Sequence, residues 1–128
     1  MLRLHAGRGL IIDVAIDPQH AVRAGREDLD EMLGNVLDNA CTWARSRVAV
    51  RSASTGSAIV ITVEDDGPGL EPSMRDAVLQ RGVRADEAAP GSGLGLAIVR
   101  DLAGLYGGSI ALGESPSDGL QARLQLPS

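Results

Sequence analysis

The chain contains no lysine; all 12 of its basic residues are arginine. That removes the P-loop nucleotide signature, in which a lysine reaches the phosphates. Phenylalanine is missing as well, and the other aromatics are a single tryptophan, Trp43, and a single tyrosine, Tyr106. Any core must therefore be aliphatic. The lone cysteine, Cys41, cannot close an internal disulfide, which fits a reducing compartment, and it reads as a small buried hydrophobe. His5 and His20 have no Cys or His neighbours at ligand spacing, so neither marks a metal centre. No apolar run reaches the length of a membrane span, and residues 1–25 lack a secretory-leader pattern, so the chain reads as soluble. A net charge of −5 argues against a general nucleic-acid footprint.

What is present suits one domain over residues 1–128, with ordinary apolar (44%) and charged (23%) content. Leu10, Ile12, Val14 and Ile16 alternate with Ile11, Asp13 and Ala15 as a strand. Asp17-Pro18-Gln19 makes a turn, and His20–Arg23 a short second strand. A long helix follows Gly25-Arg26, its first turn acidic (Glu27, Asp28, Asp30, Glu31) as the helix dipole favours. Residues 47–54 and 57–65 are strands joined by a Thr55-Gly56 turn. Pro72 opens a short helix over 71–80, and residues 81–91 form a mobile loop. A helix from Leu94 stops at Gly107-Gly108. Strands at 109–113 and 120–126 complete the chain. The strands come in hairpins, so the class is α+β, with a mixed sheet covered on one face by helices.

Three stretches carry chemistry. On the long helix, at about 100° per residue, Leu29, Leu33, Val36, Leu37, Ala40 and Ala44 form an apolar stripe. Asn35 and Asn39 share a flank off that stripe with Asp28, and Trp43 lies between flank and stripe. Two carboxamides one turn apart can offer carbonyl oxygens to a hard cation and N–H groups to phosphate oxygens. In the strand ending at Asp65, that residue is in phase with Ile59, Ile61 and Val63. Its carboxylate therefore points to the covered side of the sheet, where it needs a partner. The Gly67-Pro68-Gly69 that follows offers no cation, so a ligand donor suits it. Finally, Gly91-Ser92-Gly93-Leu94-Gly95-Leu96 ends where a helix begins, and free N–H groups there can cradle phosphates.

Asn-x-x-x-Asn-Ala on a helix, Asp-x-Gly-x-Gly after a strand and Gly-x-Gly-Leu-Gly-Leu opening a helix together resemble the GHKL ATP-binding superfamily. Within it, the chain is most similar to the catalytic ATP-binding domain of bacterial two-component sensor histidine kinases. The runs Gly34–Cys41 and Val63–Gly69 resemble the PhoQ branch. The resemblance extends over residues 8–127 and implies the Bergerat fold, a two-layer sandwich.

It also implies ATP and Mg²⁺ as ligands. Asp65 would accept the adenine amino group, Gly67, Gly69 and Leu70 would close over the base, and Trp43 would stack on it. Asn35 would ligate the metal with Asn39 and Ser92 nearby, making the Asn pair the catalytic candidates. Residues 81–92 would form an ATP lid, Arg81 and Arg84 reaching the phosphates while Gly91, Gly93, Leu94, Gly95 and Leu96 cradle them. Asn at position 35 cannot abstract a proton, so transfer to a histidine is favoured over hydrolysis. Departures from the family pattern are Thr42 and Ala89 where basic residues are expected, and Val78-Leu79 where phenylalanine is.

No histidine has the context of a phosphoacceptor. The implied partners are ATP and a phosphoacceptor histidine domain elsewhere in a full-length kinase, with a response regulator reached indirectly. The chain itself would be a monomer, cytoplasmic, and part of a homodimeric inner-membrane sensor. Two other readings are a nucleotide-binding signalling module without transfer, and an anti-sigma-type serine kinase.

Overall fold

The computed structural model describes residues 10–70, 72, 74–75, 95–116 and 119–128. Five strands form one sheet: β1 (Ile11–Ala15), β2 (Arg47–Ser54), β3 (Ala58–Asp65), β4 (Ser109–Glu114) and β5 (Leu120–Pro127). Their order is β1-β2-β3-β5-β4, with β1 parallel to β2 and every other pair antiparallel. Helices α1 (Arg26–Trp43) and α2 (Gly95–Leu105) contribute to one aliphatic core on one face of this mixed sheet. The expected α+β sandwich is the observed one.

The registers explain which face is covered. Val48, Val50 and Ser52 of β2 lie opposite Asp65, Val63 and Ile61 of β3. Ile61 and Val63 in turn lie opposite Leu124 and Ala122 of β5. These positions, with Leu126 and Ile110, point under the helices and are almost all buried. Gln121, Arg123 and Gln125 alternate to the other face. Central strand β3 is buried on both faces. On the open side Glu64 accepts from Arg51 (2.8 and 3.3 Å) and from Gln121 Nε2 (2.6 Å). Burial opposes ionisation of Glu64, but the Arg51 and Gln121 hydrogen bonds outweigh it and hold its pKa below the usual range.

On α1 the buried residues are Met32, Val36, Leu37, Ala40 and Cys41, with Leu29 and Leu33 partly covered. The buried arc is wider than the stripe read from periodicity, because α2 packs along the polar flank. Its first residue, Gly95, faces Asn35. Just beyond its end, the Tyr106 hydroxyl donates to Asp28 at the start of α1. The two helices thus run antiparallel, and Met32 between those contacts is completely buried. Helix α2 ends as the glycine pair predicts. Gly107 has φ +78°, and the N–H groups of Gly107 and Gly108 bond to the carbonyls of Gly104 and Ala103, a Schellman termination.

One element differs from expectation. Residues 20–23 do not form a strand. The Arg23 N–H bonds to the Pro127 carbonyl at 2.7 Å, but proline has no N–H to return, so no ladder propagates. The Asp17 turn is present, with Asp17 Oδ1 accepting the Gln19 N–H at 2.9 Å. The proposed 71–80 helix is described at residues 72, 74 and 75, which are helical. The remainder of that helix, the 81–91 loop and residues 91–94 lie outside the described residues.

Candidate functional site

Asp65 ends the central strand, and its side chain turns under the C-terminal end of α1, as the period of two requires. It is 3% exposed. The sequence offers no cation to partner it; in the fold, Oδ1 accepts the backbone N–H of Gly67 at 2.8 Å and of Leu120 at 3.3 Å. Both bonds fall on one oxygen, and Oδ2 has no donor among the described residues. Burial pushes the Asp65 pKa up, partly offset by those two N–H groups, and nearby Asp66 adds repulsion. A ligand donor at Oδ2 would relieve this.

The surroundings of Asp65 are packed so tightly that only glycine fits. A Cβ on Gly67 would come within 2.2 Å of the Trp43 carbonyl oxygen, and one on Gly119 within 2.1 Å of the Asp65 carbonyl oxygen. Gly67 is thus needed for close approach to the end of α1, while Gly69, at φ +72°, supplies a left-handed bend. Gly119, Leu120 and Ser115 were not among the residues singled out from sequence. The Ser115 hydroxyl donates to the Asp65 carbonyl at 2.9 Å and accepts the Gly119 N–H at 3.0 Å. They lie some 50 residues beyond the motif that they support, with no pattern linking them to it.

Asp66, next along, has a different task. Its Oδ1 accepts the N–H groups of Arg45, Ser46 and Arg47 (2.8, 3.0 and 3.2 Å), and its Oδ2 the Ser46 hydroxyl at 2.7 Å. Burial opposes the charge, yet these bonds together outweigh it and hold the pKa far below the usual carboxylate range. It shapes the turn from α1 into β2 and has no spare capacity facing a ligand.

From Asp65 the site runs back along α1. Asn39 and Asn35 lie one and two turns before Trp43, roughly 6 and 12 Å along the axis at 1.5 Å per residue. Both are half-buried, and neither carboxamide bonds to another described residue. Asn35 adjoins Gly95, where a Cβ would sit 3.6 Å from its Oδ1, so the Asn pair and the last glycine of the third motif are brought together at the start of α2. Asp28, on the same flank, is taken by Tyr106.

Trp43 is 42% exposed; its ring does not close the core and is available to a flat ligand. Leu70 is half-buried beside Gly69. Leu96 is buried in the core, so its backbone is what it can offer. The Thr42 hydroxyl donates to the Asp38 carbonyl at 2.8 Å, inside the helix. Arg81, Arg84, Gly91, Ser92, Gly93 and Leu94 lie outside the described residues, as do Val78, Leu79 and Ala89. No group of three His, Cys, Asp or Glu that could hold a metal occurs among the described residues. Any ion here would rest on carboxamide oxygens and on oxygens of its own ligand. That donor set suits Mg²⁺, which commonly keeps waters and takes substrate phosphates.

Residues 24–128 match the family described as histidine kinase-, DNA gyrase B- and HSP90-like ATPase. The chain belongs to this family. Among its relatives, the sensor protein kinase CarS of Pseudomonas aeruginosa is 47% identical over 126 residues, 98% of this chain and 28% of CarS. The sensor protein PhoQ of Escherichia coli is 37% identical over 124 residues, 97% of this chain and 25% of PhoQ. The chain therefore spans about a quarter of the length of these curated relatives. Its fold matches the mycobacterial sensor histidine kinase MprB with a TM-score of 0.82 and 31% identity, covering 93% of this chain and 82% of that one. It matches full-length ShkA in complex with AMPPNP with a TM-score of 0.81 and 28% identity, covering 95% of this chain and 26% of that one. No helix among the described residues is long and apolar enough to cross a membrane.

Proposed function

We propose that this chain is the ATP–Mg²⁺-binding catalytic domain of a sensor histidine kinase, which passes the γ-phosphoryl group of ATP to a histidine on a separate domain. The observation that carries this reading is the Asp65 carboxylate. It is buried, fixed by two N–H groups through one oxygen, and its other oxygen has no donor among the described residues. A single acceptor in an enclosed position selects a base edge with an amino group. Farther along the cleft, Asn35 and Asn39 would hold Mg²⁺ against the phosphates, and the bound ion would offset phosphate charge. The N-terminal end of α2 would face the phosphate tail with its free N–H groups. Neither asparagine can take a proton from water, so the cleft positions a phosphoryl group for an incoming nucleophile. A histidine of the full-length protein would supply that nucleophile, and a response regulator would be its eventual recipient. We assign the domain to the cytoplasmic side of a membrane-anchored, homodimeric kinase, its PhoQ relative being named a sensor protein.

Calorimetry on the 128-residue chain tests this. A non-hydrolysable ATP analogue should bind saturably and more weakly once Mg²⁺ is chelated. A folded sample that gives no binding heat at millimolar nucleotide would refute the proposal. Phosphoryl transfer is checked separately, by mixing the chain with a histidine-bearing helical domain of its own kinase and labelled ATP.

A further inference from the structure

Ser115 lies just beyond β4, where the chain turns toward β5, and is 4% exposed. Its backbone closes the hairpin, the Ser115 N–H bonding to the Gly119 carbonyl at 2.9 Å. Its hydroxyl reaches past the hairpin. Oγ donates to the Asp65 carbonyl at 2.9 Å while accepting the Gly119 N–H at 3.0 Å. A hydroxyl has one proton to give, and this one goes to the backbone of Asp65.

The register of the central strands shows what that bond makes possible. The β3–β5 ladder stops at Glu64 opposite Gln121. Asp65 and Leu120 are the next residues, and in a continued ladder the Asp65 carbonyl could take the Leu120 N–H. Instead that N–H goes to the carboxylate, 3.3 Å from Oδ1. The Ser115 hydroxyl satisfies the carbonyl, which as a buried acceptor needs a partner. The two acceptors are close together. Gly119, directly before Leu120, abuts both: a Cβ there would lie 2.1 Å from the Asp65 carbonyl oxygen and 2.5 Å from Oδ1. Without the hydroxyl, the Asp65 carbonyl loses its Ser115 partner inside the fold. A small shift of the peptide between Gly119 and Leu120 would then return the Leu120 N–H to that carbonyl. Of its two N–H partners Oδ1 would keep Gly67, and the carboxylate could turn about that single bond.

We propose that Ser115 is a positioning residue for base recognition. By occupying the Asp65 carbonyl it reserves the Leu120 N–H for Oδ1, and so keeps Oδ2 turned toward an amino group of the base. The proposal rests on the nucleotide reading of Asp65. It extends the site to a hairpin 50 residues away in sequence, which acts through Asp65 and needs no contact with the nucleotide.

The test compares ATP with purine riboside triphosphate, which lacks the amino group of adenine, by calorimetric titration of the whole chain in the presence of Mg²⁺. The wild type should prefer ATP at least tenfold. Ser115→Ala should lower that preference at least fivefold and leave the affinity for purine riboside triphosphate within twofold, because a pre-set acceptor matters only to a ligand that has the matching donor. Loosening of the fold alone would weaken both nucleotides alike. If Ser115→Ala does not fold, Ser115→Cys takes its place, keeping nearly the same volume with a weak donor and acceptor. With Asp65→Asn already present, adding either Ser115 change should leave ATP affinity within twofold. A folded Ser115 variant that keeps the full preference for ATP, weakens both nucleotides alike, or weakens ATP further in the Asp65→Asn background overturns the proposal. Equal binding of the two nucleotides by the wild type would overturn the reading of Asp65 itself, and this proposal with it.

Discussion

Replacing Asp65 with asparagine alters the chemistry of one atom and almost none of the volume. The carboxamide oxygen can keep both backbone bonds of Oδ1, from Gly67 at 2.8 Å and Leu120 at 3.3 Å. Its NH₂ group then occupies the place of Oδ2, and an amino group of a base meets a donor instead of an acceptor. A hydrogen bond to a charged group is worth about 1.5–3 kcal/mol, and every 1.4 kcal/mol is about tenfold in affinity, so ATP should bind roughly ten- to a hundredfold more weakly. Preference for adenine over guanine nucleotides should collapse with it. Stability should move the other way. Burial raises the Asp65 pKa in the folded chain above its ordinary 3.8. A carboxyl group with a raised folded pKa lends its stability below the unfolded pKa and loses it as pH rises through the folded one. Asparagine never ionises, so the variant should be more stable than the wild type at pH 7, with the gap closing toward pH 3.5. Calorimetric titration and thermal melts at both pH values check the two halves. A folded Asp65→Asn that binds ATP within threefold of the wild type, or that is less stable at neutral pH, refutes the reasoning.

Asp66→Asn is the contrasting control. It should cost about 1–2 kcal/mol at neutral pH, toward the low end because the site is partly solvated, and leave ATP affinity within threefold. Because the folded pKa of Asp66 is depressed, its stabilisation is present above about 3.8 and fades as pH falls through the folded value. Urea melts at pH 7 and in acid should therefore show the variant's deficit shrinking. Gly67→Ala drives a methyl to 2.2 Å from the Trp43 carbonyl oxygen and should destabilise by about 1–3 kcal/mol or more, with nucleotide binding lost in the fraction that still folds; thermal melts and titration measure both. Trp43, the only tryptophan, should change its fluorescence with ATP or ADP and stay unchanged with inorganic phosphate. A response to phosphate alone would place the indole away from the base.

Much of this protein is local and therefore readable from the chain. The alternation of Leu120, Ala122, Leu124 and Leu126 against Gln121, Arg123 and Gln125 defines β5 and its buried face, because side chains on a strand must alternate. Gly107 and Gly108 end α2 because the termination needs a left-handed residue at that place. Period alone turns Asp65 inward and puts Asn35 and Asn39 on one flank. The three glycine and asparagine motifs identify the ATP-binding family, since each is a short run whose geometry depends on its own residues. The tertiary structure decided everything that needs two distant segments to meet. The helical period could not show that Met32 is core, because its burial comes from α2 lying along the polar flank of α1. Asp28 shares the flank of Asn35 and Asn39, but only the fold shows that Tyr106, distant in sequence, takes its carboxylate. Residues 20–23 have the composition of a strand, yet the partner edge ends at Pro127 and the ladder stops. The two adjacent carboxylates carry the same charge in sequence. Asp65 is buried against Gly119 and Leu120, while Asp66 is consumed by the turn at Arg45–Arg47, and only the folded chain brings those segments to them.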